Sequence, residues 1–453
     1  MKETAAVILA AGKGTRMKSS LPKILHPLCG KPLISYSLEV VKELEIKKVF
    51  VVVNPNEIPK ETFGEEVILV EQKEQLGTGH ALQQILPHLE SFEGDILVLS
   101  GDMPLLTSVD LNALIKKHRA KNSSLTVLSA VVPWETDFGR IIRNFSGSLL
   151  KIVEVRDASP EELKIQELNL GSYCFEAEFL RQYLPLISSN NAQNEFYLTE
   201  VIQLATQDGI AVEVVPCQDP NASRGVNSRA ELAKVSEILR SKICNHWMKE
   251  GVTLADPLTT YIDATVWIGK DTTILPDTLL EGSTRIGERC TIGPSSRIKD
   301  STIADDAAIQ YSVLLETRVG DSASIGPFAY LRPGTVLGNK VKIGDFVEVK
   351  SSSIEEGSKV PHLSYIGDAV IGKNVNIGAG TITCNYDGVR KNQTEIADDA
   401  SIGSNTNLVA PVRVGRGSKT GAGSVILADV PDYSLAAGVP AEIKKQWGPE
   451  TKD

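Results

Sequence analysis

An aliphatic side chain returns at every sixth position through most of residues 262–428, and this period is the strongest pattern in the chain. It fits neither an α-helix nor a simple alternating strand, so each hexad is predicted to form one short strand and one corner, stacked on the hexad one coil away. Glycines directly after the aliphatic residue, as at Gly287 and Gly344, are expected to supply corners with positive φ. The repeated positions, with Thr420 as their one polar member, are Ile268, Ile274, Leu280, Ile286, Ile292, Ile298, Val319, Ile325, Leu331, Leu337, Ile343, Val349, Ile396, Ile402, Leu408, Val414, Thr420 and Ile426.

The hexads shorten to spacings of five or four near Ile303, Val319, Ile354 and Ile371 and then resume, which predicts corners that lack a residue or two. About ten coils at about 4.8 Å each would make a prism roughly 50 Å long. Since each coil buries only one or two aliphatic residues per face, we expect the outer faces to pack against sister copies. A monomeric prism that serves as a spacer stays open as the alternative.

The first half of the chain alternates hydrophobic runs with helical patterns, from Ala5 to about Arg229. Continuous Val, Ile and Leu runs are typical of strands in a parallel sheet that is covered on both faces. Ligands of such sheets bind at the carboxyl ends of the strands. The predicted strands are residues 5–11, 49–53, 67–70, 96–99, 125–132 and 212–215.

Composition narrows the class of protein. The 453-residue chain is 42% hydrophobic, and its length suggests about three domains. A formal net charge of −10 argues against nucleic acid as a partner. The six cysteines show no CxxC spacing, which is typical of a reducing compartment. The apolar run 5–11 is too short for a membrane span or a signal peptide, so we expect a cytoplasmic protein without a membrane partner.

A glycine-rich loop follows the first predicted strand, from Leu9 through Gly12 to Arg16, with Pro22-Lys23 after it. It is not a Walker A loop, because no Lys-Ser or Lys-Thr follows its second glycine at the required distance. Its small residues would let backbone N–H groups approach a phosphate. Arg16 and Lys23 would bring positive charge to a triphosphate.

Polar residues also stand at the ends of later strands. Asp102 ends the fourth strand, where a divalent cation would lie against a nucleotide. Ser228 with Glu231 forms a capping-box pattern, which predicts that a helix begins at once, runs to about residue 250 and joins the two domains as a rigid arm. Asn227 then lies at a strand-to-helix corner, where its amide oxygen suits a second contact to magnesium.

The predicted β-helix carries polar residues that its fold does not require, and its hexads break at residues 384–391, which predicts a projecting loop. Among them is His362, which is suited to act as a general base because imidazole titrates near neutral pH. The other five histidines lie outside the repeat. The remaining polar residues are Arg332, Lys350, Tyr365 and Asn376.

The loop with Pro22-Lys23 resembles the entry motif of the sugar-1-phosphate nucleotidyltransferases. The hexads resemble the left-handed parallel β-helix of the hexapeptide acyltransferases, which has three hexads per coil. Over nearly the whole chain, these features together resemble the bacterial bifunctional enzymes that make UDP-N-acetylglucosamine. The resemblance implies an α/β Rossmann-like nucleotidyltransferase (uridylyltransferase) domain in residues 1–228, a linker helix in 229–250, and a left-handed parallel β-helix acetyltransferase domain in 251–453.

The resemblance also implies roles for individual residues. Arg16, Lys23 and His362 would be catalytic, and Asp102 and Asn227 would bind Mg²⁺. The residues implied to bind nucleotide and sugar in the first domain are Leu9, Gly12, Lys23, Gln72, Gly77, Thr78, Gly139, Glu154, Asn169 and Asn227. Those implied to bind the acetyl-acceptor sugar phosphate are Arg332, Lys350, Tyr365, Asn376 and Lys391. Those implied to bind acetyl-CoA are Ala379, Asn385, Tyr386, Ser404 and Ala422.

The implied function is acetyl transfer from acetyl-CoA to glucosamine 1-phosphate, followed by uridylyl transfer from UTP to N-acetylglucosamine 1-phosphate with release of pyrophosphate. The implied assembly is a homotrimer through the β-helix. One alternative is a single-function sugar-1-phosphate nucleotidyltransferase with a regulatory or oligomerising β-helix, as in the ADP-glucose pyrophosphorylases. Another is a non-enzymatic regulator. Ser100 and Gly438 depart from the family pattern, which often has tyrosine at the first position and in some members arginine at the second.

Overall fold

The computed structural model describes residues 2–448 except 56, 57, 59–62, 65 and 135. The chain divides into two compact units, Met1–Glu237 and Ile238–Asp453. None of the helices in the described part is both long and apolar enough to cross a membrane.

The first unit is built on one nine-stranded sheet, whose central order is β11-β7-β10-β6-β1-β4-β5, with β8 and β9 as a hairpin beside β10. A separate two-stranded hairpin is formed by β2 and β3. The strands are β1 (Thr4–Leu9), β2 (Pro27–Leu28), β3 (Lys31–Pro32), β4 (Lys48–Val53), β5 (Ile68–Glu71), β6 (Asp95–Ser100), β7 (Leu125–Val131), β8 (Arg140–Arg143), β9 (Leu149–Val153), β10 (Glu167–Glu176) and β11 (Glu213–Pro216).

Successive side chains of β1 enter two different hydrophobic cores. Ala5 and Val7 belong to one core, whereas Ala6 and Ile8 belong to the other. Because successive strand residues point to opposite faces, the sheet is covered on both sides, as its continuous hydrophobic runs predict. The helices of this unit are α1 (Leu33–Glu43), α2 (Thr78–Gln83), α3 (Ser108–Ala120), α4 (Ala177–Tyr183), α5 (Glu200–Gln207) and the first part of α6 (Arg229–Lys249), whose residues after Glu237 belong to the second unit.

The prediction of a parallel sheet is wrong at one place. Strand β10 lies between β6 and β7 and runs antiparallel to both. Its register with β7 shifts between Asn169 and Tyr173, so the strand bends there. The segment was not predicted as a strand, and the direction in which a strand runs depends on its connections rather than on its own sequence.

The capping box before α6 is confirmed. The Ser228 hydroxyl accepts a hydrogen bond from the backbone N–H of Glu231 and lies 3.0 Å from its carboxylate, which in turn accepts the N–H of Asn227 at 2.8 Å. The helix therefore begins directly after Ser228 and fixes the strand-to-helix corner at Asn227.

The second unit is a parallel β-helix with three faces, and each strand pairs with the strand one coil earlier. The first face has Thr253–Leu254, Thr273–Ile274, Thr291–Ile292, Ala308–Ile309, Ser324–Ile325, Lys342–Asp345, Lys359–His362, Asn376–Ile377, Ser401–Ile402, Lys419–Thr420, Ser434–Gly438 and an antiparallel last strand, Ala441–Gln446. The second has Tyr261–Ile262, Leu279–Glu281, Arg297–Lys299, Val313–Leu315, Tyr330–Leu331, Glu348–Lys350, Tyr365–Gly367, Ile382–Cys384, Asn407–Val409 and Val425–Ile426. The third has Trp267–Ile268, Arg285–Ile286, Thr302–Ile303, Arg318–Val319, Val336–Leu337, Ser353–Ile354, Ala369–Ile371, Thr394–Ile396 and Val412–Val414.

The predicted hexad positions form the core of this unit. Each aliphatic residue is buried and stands on its equivalent in the previous coil, as Ile286 does on Ile268 and Ile303 on Ile286. Thr420, the polar member, is also buried, and its hydroxyl is hydrogen-bonded to the Thr406 hydroxyl at 3.0 Å. The shortened spacings are confirmed, because Ile303 pairs with Val319, 16 residues later, whereas Ile268 pairs with Ile286, 18 residues later.

The expectation of positive φ holds for Gly293, which follows Ile292 and has a φ of 99°, and is wrong for the two hexad glycines named above. Gly287 and Gly344 do not have positive φ. They are required instead because adjacent coils touch there, and a Cβ atom on Gly344 would overlap the carbonyl of Pro361. The corners with positive φ are mostly held by residues that tolerate the left-handed conformation, such as Asp306 and Asn374.

Candidate active sites

The carboxyl ends of the central strands in the first unit border a cleft of about 410 Å³. The loop after β1 supplies one wall and the residues after β5 and β6 supply the others. Nine of the residues implied by the resemblance line this cleft, which brings together segments far apart in sequence. They are Leu9, Gly12, Arg16, Lys23, Gln72, Gly77, Thr78, Asp102 and Asn227.

Lys23 is the centre of this cleft. Its ammonium nitrogen lies 2.5 Å from Oδ2 of Asp102 and 3.0 Å from Oδ1 of Asn227. Gly14 adopts the left-handed conformation, and a Cβ on it would lie only 2.7 Å from the Cβ of Lys23. A backbone hydrogen bond of 2.9 Å from the N–H of Val226 to the carbonyl of Asp102 holds the two oxygen donors side by side.

The two oxygens that meet at the Lys23 ammonium form a donor set for a cation. Magnesium takes oxygen ligands, commonly one or two carboxylates together with substrate phosphates. Asp102 and Asn227 fit that description. Within the described residues, no three His, Cys, Asp or Glu side chains gather in a metal-binding group, so a magnesium ion here would depend on phosphate oxygens for its remaining ligands.

Arg16 makes a contact that the sequence did not suggest. Its guanidinium lies 2.5 Å from Oδ2 of Asp137, which follows β7, and both side chains are more than half exposed. Asp137 also lines the pocket next to the cleft. A polyphosphate in the cleft would therefore compete with Asp137 for Arg16.

Two glutamines after β5 differ in what they can offer a ligand. The Gln72 side chain is buried and already bonded, with Nε2 3.0 Å from Nδ1 of His80 and 3.3 Å from the carbonyl of Gly77. Gln75 also lines the cleft, and its buried Nε2 has no hydrogen-bond partner. Since a buried donor is usually paired, the Gln75 amide nitrogen is available to a ligand in the cleft. Of the two glutamines, Gln72 is among the residues named from the sequence above, and Gln75 is not.

A smaller pocket of about 130 Å³ adjoins the cleft and shares Leu9, Thr78 and Ser100 with it. It is lined by the other three residues of the predicted set, Gly139, Glu154 and Asn169.

Glu154 and Asn169 are held in place by neighbours of this pocket. The Thr199 hydroxyl donates to Glu154 at 3.0 Å, and the Asn169 amide donates to the Tyr173 hydroxyl at 2.7 Å. Burial is the largest cause of the raised pKa of Glu154.

In the β-helix, His362 stands in a column of residues at one corner. The N–H of Gly380 donates to the carbonyl of His362, that of Asn405 to Ala379, and that of Gly423 to Ser404. His362, Ala379, Ser404 and Ala422 therefore follow one another up successive coils. The column continues from the predicted base through three of the residues implied to bind acetyl-CoA.

A cluster of cations lies where the second face ends. Lys350 is 3.4 Å from Asp368, and Arg332 is 2.8 Å from Glu348 in the adjacent coil. Lys391, from the projecting loop, lies within hydrogen-bond reach of Lys350, and this contact lowers the pKa of Lys391. Crowded ammonium groups of this kind favour the binding of an anion.

Three other predicted residues lie beside this cluster or on the loop that carries Lys391. Tyr365 is close enough to Arg332 and Lys350 to affect their pKa values. Asn385 donates to the carboxylate of Asp368. Tyr386 is exposed and forms a bridge with Lys391, which confirms that residues 384–391 project from the repeat.

Two predicted residues stand apart from the cluster. Asn376 lies on the first face, where its strand pairs it with Lys359 and not with a member of the cation cluster. His362 also lies on the first face, at its end. The strand Tyr365–Gly367 of the second face lies between His362 and the cluster.

Three acidic residues of this site were missed from the sequence, namely Asp345, Glu348 and Asp368. Each pairs with a predicted residue about one coil away: Asp345 with His362, Glu348 with Arg332, and Asp368 with Lys350. A search for acidic residues 16 to 18 positions from each candidate would have found them, since that is the length of one coil.

Comparisons with known proteins agree with this division. The MobA-like NTP transferase domain family matches residues 6–149. The GMPPB C-terminal domain family matches residues 260–341 and 314–390, and the hexapeptide repeat of succinyl-transferase matches residues 393–428. The match to the hexapeptide repeat identifies the three-sided prism as a left-handed β-helix.

Full-length relatives give the family. A bifunctional protein GlmU from Carboxydothermus hydrogenoformans is 48% identical over 97% of this chain and 98% of its own length. The GlmU of Syntrophomonas wolfei is 49% identical over 95% of this chain and 96% of its own length, and that of Geobacillus thermodenitrificans is 46% identical over 97% and 96%. The chain belongs to the family of bifunctional GlmU proteins.

Proposed function

We propose that the chain acetylates glucosamine 1-phosphate with acetyl-CoA and then transfers uridylyl from UTP to the N-acetylglucosamine 1-phosphate formed, with release of pyrophosphate. The observation that carries the proposal is the cation cluster of Lys350, Lys391 and Arg332, in a β-helix whose fold does not need it. A β-helix that served only for regulation or assembly would have no reason to hold crowded ammonium groups in place. This distinguishes the proposal from a single-function nucleotidyltransferase.

For acetyl transfer, we assign the sugar phosphate to the cation cluster and acetyl-CoA to the column above His362, with Asn385 and Tyr386. The amine of the sugar attacks the thioester carbon only in its neutral form. His362 would take up the proton that the nitrogen loses as the new bond forms. The phosphate, held at Lys350 and Lys391, would fix the distance of the amine from this ring.

For uridylyl transfer, we assign the triphosphate to the loop of Gly12 and Arg16 and to Lys23. The sugar phosphate is already largely ionised at pH 7, so it can attack the α-phosphorus without a protein base. Arg16 and Lys23 would neutralise charge on the phosphates as pyrophosphate leaves. Magnesium, when held by Asp102 and Asn227, would stabilise the same charge.

The sugar would occupy the smaller pocket beside Glu154 and Asn169. Ser100, shared by that pocket and the cleft, would then lie between sugar and nucleotide. The uridylyltransferase domain would span residues 1–228, followed by a linker helix, 229–250, and an acetyltransferase domain, 251–453. The six cysteines, all within the described residues, form no disulfide bonds, which fits a cytoplasmic location.

A column of exposed apolar side chains supports assembly into a homotrimer through the β-helix. Tyr311, Phe328, Phe346 and Leu363 follow one another at one corner, and each is 42–61% exposed. Phe328 and Phe346 stack at 5.4 Å. All four adopt positive φ, which is unfavourable for bulky residues and is held at several other corners by aspartate or asparagine. Burial against sister copies would explain why apolar residues occupy these positions.

Asp102→Ala should lower uridylyl transfer by at least about 100-fold, because the cation site loses its carboxylate. Acetyl transfer should be unchanged. Pyrophosphate release is measured at several magnesium concentrations beside acetylation of glucosamine 1-phosphate. Asp208→Ala, which removes an exposed carboxylate that accepts from Tyr183, is the matched control and should retain both activities. Magnesium-dependent release near the wild-type rate in the Asp102 variant would show that the metal assignment is wrong.

His362→Ala should lower acetyl transfer by about 10² to 10⁴, the usual contribution of a general base. Uridylyl transfer by the same protein reports on its folding and should be retained. His246→Ala removes an exposed histidine of α6 and serves as the matched control. A correctly assembled His362 variant that keeps more than about a tenth of wild-type acetylation would remove this residue from the mechanism.

Phe328→Glu should dissociate the trimer, because a charge would enter the proposed interface. Light scattering should give about three times the chain mass of 48.9 kDa for the wild type and a smaller mass for the variant. Phe145→Glu changes an equally bulky, fully exposed side chain at the β8–β9 hairpin and should not alter the mass. An unchanged mass for the Phe328 variant would contradict the proposed interface.

A further inference from the structure

We propose that Asp345 is a positioning residue for acetyl transfer, and that its carboxylate holds the His362 ring in the tautomer and orientation that a general base requires. This inference rests on the acetyltransferase function proposed above. It adds to that function the residue on which the base depends.

The two side chains are brought together by the register of the β-helix. The strands Lys342–Asp345 and Lys359–His362 are longer than most strands of the first face, and their last residues pair directly across adjacent coils. Oδ1 of Asp345 lies 2.5 Å from Nδ1 of His362. The N–H of Leu363 donates to the carbonyl of Asp345 at 2.9 Å, so the backbone is fixed on both sides of the contact.

The contact determines which ring nitrogen carries the proton. The hydrogen bond from His362 is the largest cause of the lowered pKa of Asp345, so this carboxyl is ionised at neutral pH and can only accept. Nδ1 of neutral His362 must then be the donor. Nε2 is left with its lone pair available, in the tautomer that can take up a proton.

The chemical step balances with this tautomer. The amine nitrogen forms a bond to the thioester carbon, its proton passes to Nε2 of His362, and the imidazolium is stabilised by the carboxylate of Asp345. As the carbon–sulfur bond breaks, the electron pair leaves with the coenzyme thiolate, which accepts the proton from Nε2. The products are the amide and the free thiol, and the neutral ring with its Nδ1 proton is restored.

The β-helix offers a comparison with a pair that is only structural. Arg289 donates to Asp306 at 2.8 Å across one coil, with the same separation of 17 residues that joins Asp345 to His362. Both pairs are partly exposed. The Arg289 pair lies outside the coils that carry the proposed acetyl-transfer site, so removing it reports the effect of breaking a cross-coil ion pair by itself.

The test uses the full-length chain with Asp345→Ala, Asp345→Glu, His362→Ala and the double variant Asp345→Ala/His362→Ala. Asp345→Ala should lower kcat for acetyl transfer by about 10- to 100-fold with little change in KM for either substrate, because the base is misoriented while the groups that bind the substrates stay in place. Asp345→Glu, which returns a carboxylate, should recover part of the activity. The double variant should be no slower than His362→Ala alone, since both changes disable the same general base.

Asp306→Ala is the matched control and should leave acetyl transfer within about twofold of the wild type. Uridylyl transfer and the mass by light scattering verify that each variant is folded and assembled. The proposal is overturned if Asp345→Ala keeps kcat within about threefold of the wild type, acts through KM, or slows the His362 variant further. If His362→Ala itself retains acetylation, the assignment of His362 as the base fails; if the wild type does not acetylate glucosamine 1-phosphate, the proposed function of the β-helix fails, and the failures are thereby distinguished.

Discussion

The register between successive coils is the constraint on which the β-helix and its candidate site depend. Each residue stands on the residue one coil earlier, 16 to 18 positions back in the coils without an insertion and 25 positions back across the projecting loop. The same register that stacks Ile286 on Ile268 also places His362 beside Asp345. Hydrophobic burial at one position in each hexad therefore also fixes where the polar side chains at the other hexad positions lie. A deletion within a strand would move the rest of that strand's side chains out of register, whereas corners accept the loss of one or two residues, as between Ile303 and Val319.

In the first unit, the equivalent constraint is the meeting of strand ends at one edge of a sheet. Lys23, Asp102 and Asn227 come from three distant segments, and their side chains converge on one ammonium group. The convergence depends on short backbone contacts, such as that of Val226 with Asp102, and on a glycine that lets the loop approach Lys23. Charge of both signs in a confined cleft is suited to a reaction in which polyphosphate is bound and released.

Features that depend on local sequence were predictable. The hexads, the capping box at Ser228 and the loop after β1 each arise from residues a few positions apart, and the structure has all three. Features that depend on contacts between segments far apart in the sequence were not predictable. The direction of β10, the coil contact at Gly344 and the pairing of Arg16 with Asp137 each require knowledge of which distant residue comes close. Gln72 and Gln75 both line the cleft, and only the fold shows that the Gln72 amide is already bonded whereas the buried Gln75 amide nitrogen is not.

The central claim is that one chain performs two consecutive transfers at two separate sites, and complementation tests it most directly. Purified Asp102→Ala and His362→Ala proteins are supplied with glucosamine 1-phosphate, acetyl-CoA, UTP and magnesium, separately and mixed, and UDP-N-acetylglucosamine is measured. Neither variant alone should form it, whereas the mixture should, because the acetylated intermediate made by the first protein can diffuse to the second. Formation of the final product at the wild-type rate by either variant alone, or none in the mixture, would contradict the account.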